Sequence, residues 1–161
     1  MNVIYKCVIL FGALSSLTGA FSAESPPILL PEANAIELLI YPERIVPKTN
    51  VIPELLEQIL SRAESDPGFL KREKLESFQY KKIVSGNNKE WGVAVDAFKR
   101  TQWSKWSGHT DYRYGLHVKR DSVCIQKLYV DRINGALLVD GKTYKVKGGI
   151  LDWLKGIAGV D

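Results

Sequence analysis

Both histidines of the chain lie in one short stretch, residues 103–117, which reads WSKWSGHTDYRYGLH. His109 and His117 could exchange protons near neutral pH, and Arg113 between them could neutralise an anionic substrate. A basic secreted nuclease-like toxin would use such groups, because one side chain takes a proton, another gives one, and a cation stabilises the phosphate. A protein that acts on the cell wall is the related alternative. Catalysis by these three residues is therefore one prediction.

The same stretch holds the residue types that are enriched where protein interfaces concentrate their binding energy, namely aromatic residues and arginine. A non-enzymatic contact surface is the prediction we favour. We therefore expect a binding protein, with an enzyme as the alternative. We expect at least two of its four rings to be exposed, since alternating strands would turn the others into the core. The predicted surface comprises Trp103, Lys105, Trp106, Tyr112, Arg113, Tyr114, Lys119 and Arg120.

The sequence predicts no metal site and no cofactor. His109 and His117 are eight residues apart, with Asp111 between them and no cysteine close by, which is not a compact ligand pattern. Cys124 alternates with apolar neighbours in SVCIQKLYV, as a small buried hydrophobic residue would, although a reactive thiol fits the same position.

Residues 1–22 have the three-part layout of a secretory signal peptide: a basic residue, Lys6, then an apolar run, then small residues. The run is about ten residues long, roughly half of what crosses a bilayer. Ala20 and Ser22 provide the small side chains that a cut after Ser22 requires. We therefore predict a periplasmic or secreted protein with no transmembrane anchor after processing. Cys124 is then the remaining cysteine, so no internal disulfide is expected.

Two further regions are predicted downstream of the signal. Residues 23–50 contain five prolines, which remove backbone donors and favour extended geometry, so we expect a Pro-rich extended segment. Its short apolar piece, AIELLIYP, is expected to be either a helical turn or a strand that docks on the domain. Residues 51–161 are expected to form a single α+β domain.

Within this domain the sequence predicts one or two N-terminal helices followed by a small antiparallel β-sheet. Residues 50–66 have helical spacing, with an apolar face at Ile52, Leu55, Ile59 and Leu60, and a short helix could follow. Residues 90–100, EWGVAVDAFKR, alternate apolar and other side chains as a strand would. The dipeptides Asn134-Gly135 and Asp140-Gly141 tolerate positive φ and predict two hairpin turns. Residues 148–159, GGILDWLKGIAG, predict a short closing helix or turn whose apolar side is Ile150, Leu151, Trp153 and Leu154.

Two segments resemble known families. Residues 128–161, LYVDRINGALLVDGKTYKVKGGILDWLKGIAGVD, are similar to the small periplasmic β-domain of pilus-assembly and type II secretion proteins. That resemblance implies an accessory role in a pilus or secretion system. The segment GHTDYRYG resembles the GHTD segment of peptidoglycan-binding domains of the outer-membrane-protein-A type, which implies that Asp111 contacts the cell-wall peptide.

Charge is divided along the chain. Residues 24–67 have eight acidic and three basic side chains, a net charge of −5, whereas residues 68–161 have eighteen basic and ten acidic, a net charge of +8. The two parts could neutralise each other, or the basic part could bind an anionic surface such as peptidoglycan, nucleic acid or lipid. The partner is accordingly predicted to be a protein of the cell envelope or outside the cell, or such an anionic surface.

Overall fold

A computed structural model describes Pro26, Ile28 and residues 30–42, 50–66, 68–75, 77–86 and 88–159 of the chain. The predicted signal peptide lies outside the described residues. A short 3-10 turn, Leu30–Glu32, precedes the first strand. The strands are β1 Ala35–Ile40, β2 Gln79–Val84, β3 Gln102–Lys105, β4 Tyr114–Arg120, β5 Val123–Asp131, β6 Ala136–Val139 and β7 Lys142–Lys147. The helices are α1 Pro53–Ser65, α2 Phe69–Arg72, α3 Asn88–Arg100 and α4 Ile150–Ala158.

All seven strands form one antiparallel sheet in the order β2-β1-β4-β5-β6-β7-β3. Strand β1 lies in the interior of this sheet, between β2 and β4, and all six of its residues are buried. Its sequence, AIELLI, is a nearly continuous apolar run, as expected for a strand covered on both faces. The segment predicted to be extended and to precede the domain therefore supplies an interior strand.

The predicted order of N-terminal helices followed by a small sheet is wrong. The arrangement is mostly β, since the sheet has seven strands and the four helices are short and distributed along the chain. The sequence underestimated the sheet because β1 precedes the first helix and because β3 lies in the stretch predicted to be a contact surface, whereas FQYKKIVSG has the strand-like composition that β2 confirms.

Helix α3 occupies the segment that was predicted to be a strand. Ala94, Ala97 and Phe98 are buried, while Val93 is exposed, so burial follows the helical period. In this short stretch the apolar residues satisfy both periods, and alternation alone could not separate them.

The prediction of helix α1 is confirmed. Pro53 lies in its first turn, where a backbone N–H would have no intrahelical acceptor, so the missing N–H of proline costs no hydrogen bond. Its buried face is Leu56, Ile59, Leu60 and Ala63, and Ile52 and Leu55 point to solvent instead. Sequence reasoning therefore assigned two residues at the start of the helix to the wrong face.

Helices cover the sheet on both sides. Helices α3 and α4 pack with the larger apolar cluster, to which β1 contributes Ile36, Leu38 and Ile40. Helix α1 packs on the opposite face, in a second cluster that includes Leu39 of β1. Each fully buried leucine or isoleucine contributes roughly 1.5–3 kcal/mol to folding. Successive side chains of β1 therefore alternate between the face covered by α3 and α4 and the face covered by α1.

Two glycines permit close approaches between these layers. Gly149 precedes α4 with φ of 45°, and a Cβ there would lie 2.3 Å from the carbonyl oxygen of Ala97 in α3. Thr101 completes that junction, because its hydroxyl accepts the Ile150 N–H at 2.9 Å. Gly115 in β4 lies beneath α1, where a Cβ would be 3.4 Å from the Cβ of Leu56. Helix α1 can therefore pack closely against the middle of β4.

The strands on either side of Asn134-Gly135 and of Asp140-Gly141 do pair as antiparallel neighbours, β5 with β6 and β6 with β7. Asp140 and Gly141 both have positive φ, which matches the twist of a two-residue hairpin turn. The closing helix is α4, with Ile150, Trp153 and Leu154 buried. Within the described ranges, no helix combines the length and the apolar character needed to cross a membrane.

Candidate functional site

The sheet order divides the stretch 103–117, in which all the candidate catalytic residues lie. Strands β3 and β4 are consecutive in the chain, but β5, β6 and β7 lie between them in the sheet. Four inter-strand steps of about 4.8 Å place them roughly 19 Å apart. The predicted surface therefore does not form one continuous patch.

Four members of the predicted contact surface are buried. Tyr114 is fully buried in the larger core, and Tyr112 lies against Tyr129, with its hydroxyl 3.2 Å from that of Thr143. Arg113 and Lys119 are also buried. None of these four residues offers its side chain to a partner in this conformation.

The other four members separate into two places. Trp103, Lys105 and Trp106 lie on or just after the edge strand β3, where Lys105 is exposed and both indole rings are half-buried. Arg120 lies at the end of β4, beside Glu32, with their side chains 3.2 Å apart. We expected at least two exposed rings; Trp103 and Trp106 are partly accessible, and Tyr112 and Tyr114 are buried.

Asp111 and Arg113 hold a corner of the fold. The Asp111 carboxylate accepts the Val51 N–H at 2.7 Å and a bond from Arg113 Nε at 2.8 Å. Arg113 also donates to the Pro42 carbonyl at 3.0 Å and lies over the ring of Tyr41. Both groups predicted to bind a ligand, the carboxylate and the guanidinium, therefore tie the segment before α1 to β4.

The two histidines lie in different surroundings. His109 is exposed and lines an open depression with Lys105, Trp106 and Lys145 among its neighbours. His117 is buried in β4, in the interior of the sheet. The acid–base pair that the sequence suggested is therefore not assembled, since its members and Arg113 face no common cleft.

His117 instead belongs to a row of polar side chains that crosses four strands. In register across the sheet, Lys82 of β2 faces Glu37 of β1, Glu37 faces His117 of β4, and His117 faces Lys127 of β5. Side chains that share a row in this way lie on the same face of a sheet. This face is the one covered by α1.

Helix α1 adds a carboxylate to this row. Leu56, Leu60 and Glu64 are spaced four residues apart and so share one stripe of the helix. Leu56 and Leu60 lie over Gly115, and Glu64 pairs with Lys119, which lies farther along the same strand. Close packing at Gly115 thus positions the Glu64 carboxylate over β4.

We call Glu37, Glu64, His117 and Lys119 the buried polar cluster. Glu37 is completely buried and His117 and Lys119 are each 3% exposed, whereas the Glu64 side chain is about one third exposed. Lys119 Nζ lies 2.8 Å from Glu37 Oε2 and also pairs with Glu64. A ring nitrogen of His117 and one oxygen of each carboxylate lie within 4.8 Å of one another.

The two buried ligand groups of this cluster differ in how they are satisfied. Lys119 and Lys82 approach the two Glu37 oxygens at 2.8 and 3.2 Å, and Tyr80 makes a side-chain hydrogen bond to the same carboxylate. His117 Nε2 is buried without a partner. Buried polar atoms are almost always satisfied in native proteins, so this unpartnered imidazole nitrogen stands out.

The surroundings change the acidity of neighbouring groups. Burial lowers the pKa of His117, although the negative charge of Glu37 opposes this effect. Burial and the charge of Glu37 raise the pKa of Tyr80, on the adjacent strand β2, to about 12. Burial also raises the pKa of the Cys124 thiol, opposed by Lys119. His117 is therefore held in its neutral form, and Cys124 is a poor nucleophile.

A second candidate site lies at the opposite end of the sheet. Six exposed cations surround the pair β3 and β7 and are called the basic edge: Lys99, Arg100, Lys105, Lys142, Lys145 and Lys147. Residues 97–110 and 141–151, which supply them, contain no aspartate or glutamate. The Trp106 ring lies at this edge, with Lys145 Nζ 5.2 Å from its centre.

Sequence reasoning missed Glu37 and Glu64 altogether. Glu37 carried a usable signal, because it is the single charged residue of the apolar run AIELLI, and a charge within a buried strand requires partners. Glu64 carried none, since it resembles any polar residue on an amphipathic helix. Its role follows from the close packing of α1 on β4.

A scan against protein-family models, together with searches of curated proteins and of solved structures, found no match to this chain. The geometry of the buried polar cluster and of the basic edge is therefore what supports the functional proposals below.

Proposed function

We propose that this chain is an exported, non-enzymatic binding protein that uses the basic edge to hold an anionic polymer. Export is supported by the signal-like layout of residues 1–22. Binding is supported by one observation above all: within the described residues, none of the six cations of the basic edge forms an ion pair with a carboxylate.

The lysines in the other half of the sheet behave differently. Lys82 pairs with Glu37, Lys119 with Glu37 and Glu64, and Lys127 with Glu57. The acidic N-terminal part of the chain thus neutralises β2, β4 and β5. Among the described strands, the positive charge that is left over lies mainly on β3 and β7, where an anion from outside would be attracted.

The structure of the edge suits an extended partner. Lys145 and Lys147 are separated by one residue on β7, so they project from the same face of the sheet, beside Ser104 and Gln102 of β3. A strand pair of this kind spaces its cations by about 6–7 Å along the strand. A polymer with repeated negative charges can bind several of them at once.

Trp106 supplies an apolar element to the same surface. Its indole N–H donates to the Gly108 carbonyl at 3.2 Å, which fixes the ring against its own loop. A ring held in this way can stack on a sugar or base without losing much side-chain freedom. Trp106 and the lysines together would recognise the rings and charges of one polymer.

The test is a binding measurement on residues 23–161 with three probes: a single-stranded oligonucleotide, purified peptidoglycan, and vesicles of anionic lipid. The triple charge reversal of Lys105, Lys145 and Lys147 to Glu should weaken binding by about tenfold or more at ~0.1 M salt. Binding by the parent should weaken steadily as salt is raised, because displaced counterions drive the association.

A matched control reverses Lys71, Lys74 and Lys89 to Glu, which changes the net charge equally but away from the basic edge. This control should retain most of the affinity, since distant charges are screened over about 10 Å. Equal losses in both variants would show attraction by net charge alone and would contradict a defined site. Absence of binding to all three probes would favour an envelope protein as the partner, as the resemblance of residues 128–161 implies.

A further inference from the structure

We propose that the buried polar cluster is a divalent metal site whose ligands are Glu37, Glu64 and His117, and which the Lys119 ammonium occupies when no metal is bound. This inference is independent of the proposed binding of an anionic polymer. It concerns the opposite end of the sheet and a different class of ligand.

The donor atoms fit a first-row transition metal. One imidazole nitrogen and two carboxylate oxygens form the set, and they lie within 4.8 Å of one another before any metal has drawn them together. Zinc binds histidine nitrogen and carboxylate oxygen at about 2.0–2.2 Å, so small side-chain movements would close the set around an ion. The mixed set is unlike the all-oxygen sites that calcium and magnesium prefer.

The unpartnered nitrogen of His117 points to a missing ligand. Nε2 of His117 is buried without a hydrogen bond beside the Glu37 carboxylate, and the two side chains are at least 97% buried. A structure selected only for stability would be expected to satisfy this nitrogen.

Lys119 explains how the site is stable without metal. Its ammonium lies between the carboxylates of Glu37 and Glu64 and so provides the positive charge that an ion would otherwise supply. The four-carbon stem of lysine is flexible, and the Glu64 side chain is about one third exposed, which gives the ammonium a direction in which to leave. Metal binding would therefore compete with this ion pair.

The competition makes the proposal testable with Zn²⁺ and Co²⁺ as probes. The parent, residues 23–161, should bind one Zn²⁺ by calorimetry and should give a visible Co²⁺ absorption band. Lys119→Met should bind Zn²⁺ more tightly, on the order of tenfold, because the ammonium no longer repels the ion. His117→Gln should lose both signals.

Matched controls separate this site from surface binding and from misfolding. His109→Gln changes the exposed histidine and should bind Zn²⁺ like the parent, and Lys105→Met should likewise leave the affinity unchanged. Circular dichroism and thermal melts with chelator establish that each variant is folded. If Lys119→Met is unfolded without metal, refolding on addition of Zn²⁺ is the expected result.

Three results would overturn the proposal. The first is that neither the parent nor a folded Lys119→Met variant binds Zn²⁺. The second is undiminished binding by His117→Gln, and the third is loss of binding by His109→Gln in place of His117→Gln. Either of the last two would assign the metal to other ligands.

Discussion

The buried polar cluster and the basic edge contain the same residue types and use them in opposite ways. At β1 and β4, a lysine and a histidine are enclosed beneath α1, and the lysine meets carboxylates. At β3 and β7, lysines and a histidine face solvent and have no carboxylate partner within the described ranges. The difference shows that the cover provided by a helix, and not the residue type, decides whether a charge serves the fold or remains available to a ligand.

The aromatic residues give the largest contrast. Tyr114→Ala should lower the free energy of unfolding by about 3–5 kcal/mol, because Tyr114 is fully buried in the larger core. Trp106→Ala should cost about 1 kcal/mol or less, since that ring is outside both core clusters of the described residues. Urea unfolding followed by circular dichroism measures both. Similar losses for the two variants would mean that the Trp106 ring also belongs to the core.

The lysines should give the next largest effect. Lys119→Met should destabilise the metal-free protein by about 3 kcal/mol, because Glu37 would lose its closest cation while remaining completely buried. Lys105→Met should change stability by about 0.5 kcal/mol at most, as expected for a solvent-exposed position. Urea unfolding in the presence of a chelator measures the stability of both variants. If Lys119→Met left the stability unchanged, the buried ion pair would make no net contribution to the free energy of unfolding.

The histidines should give the smallest effect, seen as a pH dependence. Because the pKa of His117 is lowered in the folded state, the unfolded chain takes up a proton near pH 6.5 that the folded chain does not. Stability contributed by neutral His117 is therefore complete above pH 6.5 and decreases as the pH falls below it. Glu37, Glu64 and Lys127 face this ring, so their charges determine how much stability is lost as the pH falls.

His117→Gln should flatten the stability curve between pH 7 and 5 when metal is chelated, whereas His109→Gln should leave its slope as in the parent. Thermal melts at half-unit pH intervals measure this. An unchanged slope in His117→Gln would locate the acid sensitivity in other groups.

Local features of the fold could be predicted from the sequence. Pro53 and the apolar spacing indicated α1, the Asp140-Gly141 dipeptide indicated a hairpin, and residues 150–154 indicated the closing helix. Each signal depends on residues that are close in the chain, where backbone geometry and side-chain period are directly coupled. The helix α3 was mistaken for a strand because its apolar residues fit both periods.

The candidate sites could be predicted only in part. Lys105 and Trp106 were identified as contact residues, and they do lie at the basic edge. Lys145 and Lys147 reach that edge through the pairing of β7 with β3, which no local pattern indicates. The buried polar cluster joins residues of β1, α1 and β4, so its members are up to 82 positions apart between Glu37 and Lys119.

The sequence by itself determined the signal-like start, the excess of positive charge after residue 68, and the local elements with strong period or turn chemistry. Only the tertiary structure decided which lysines are neutralised and which remain available. The physical reason is that charge pairing depends on the distance between side chains, and strand order sets that distance. By placing β4 beside β1, and β3 beside β7 at the far edge, the sheet separated one stretch of sequence into two unlike sites.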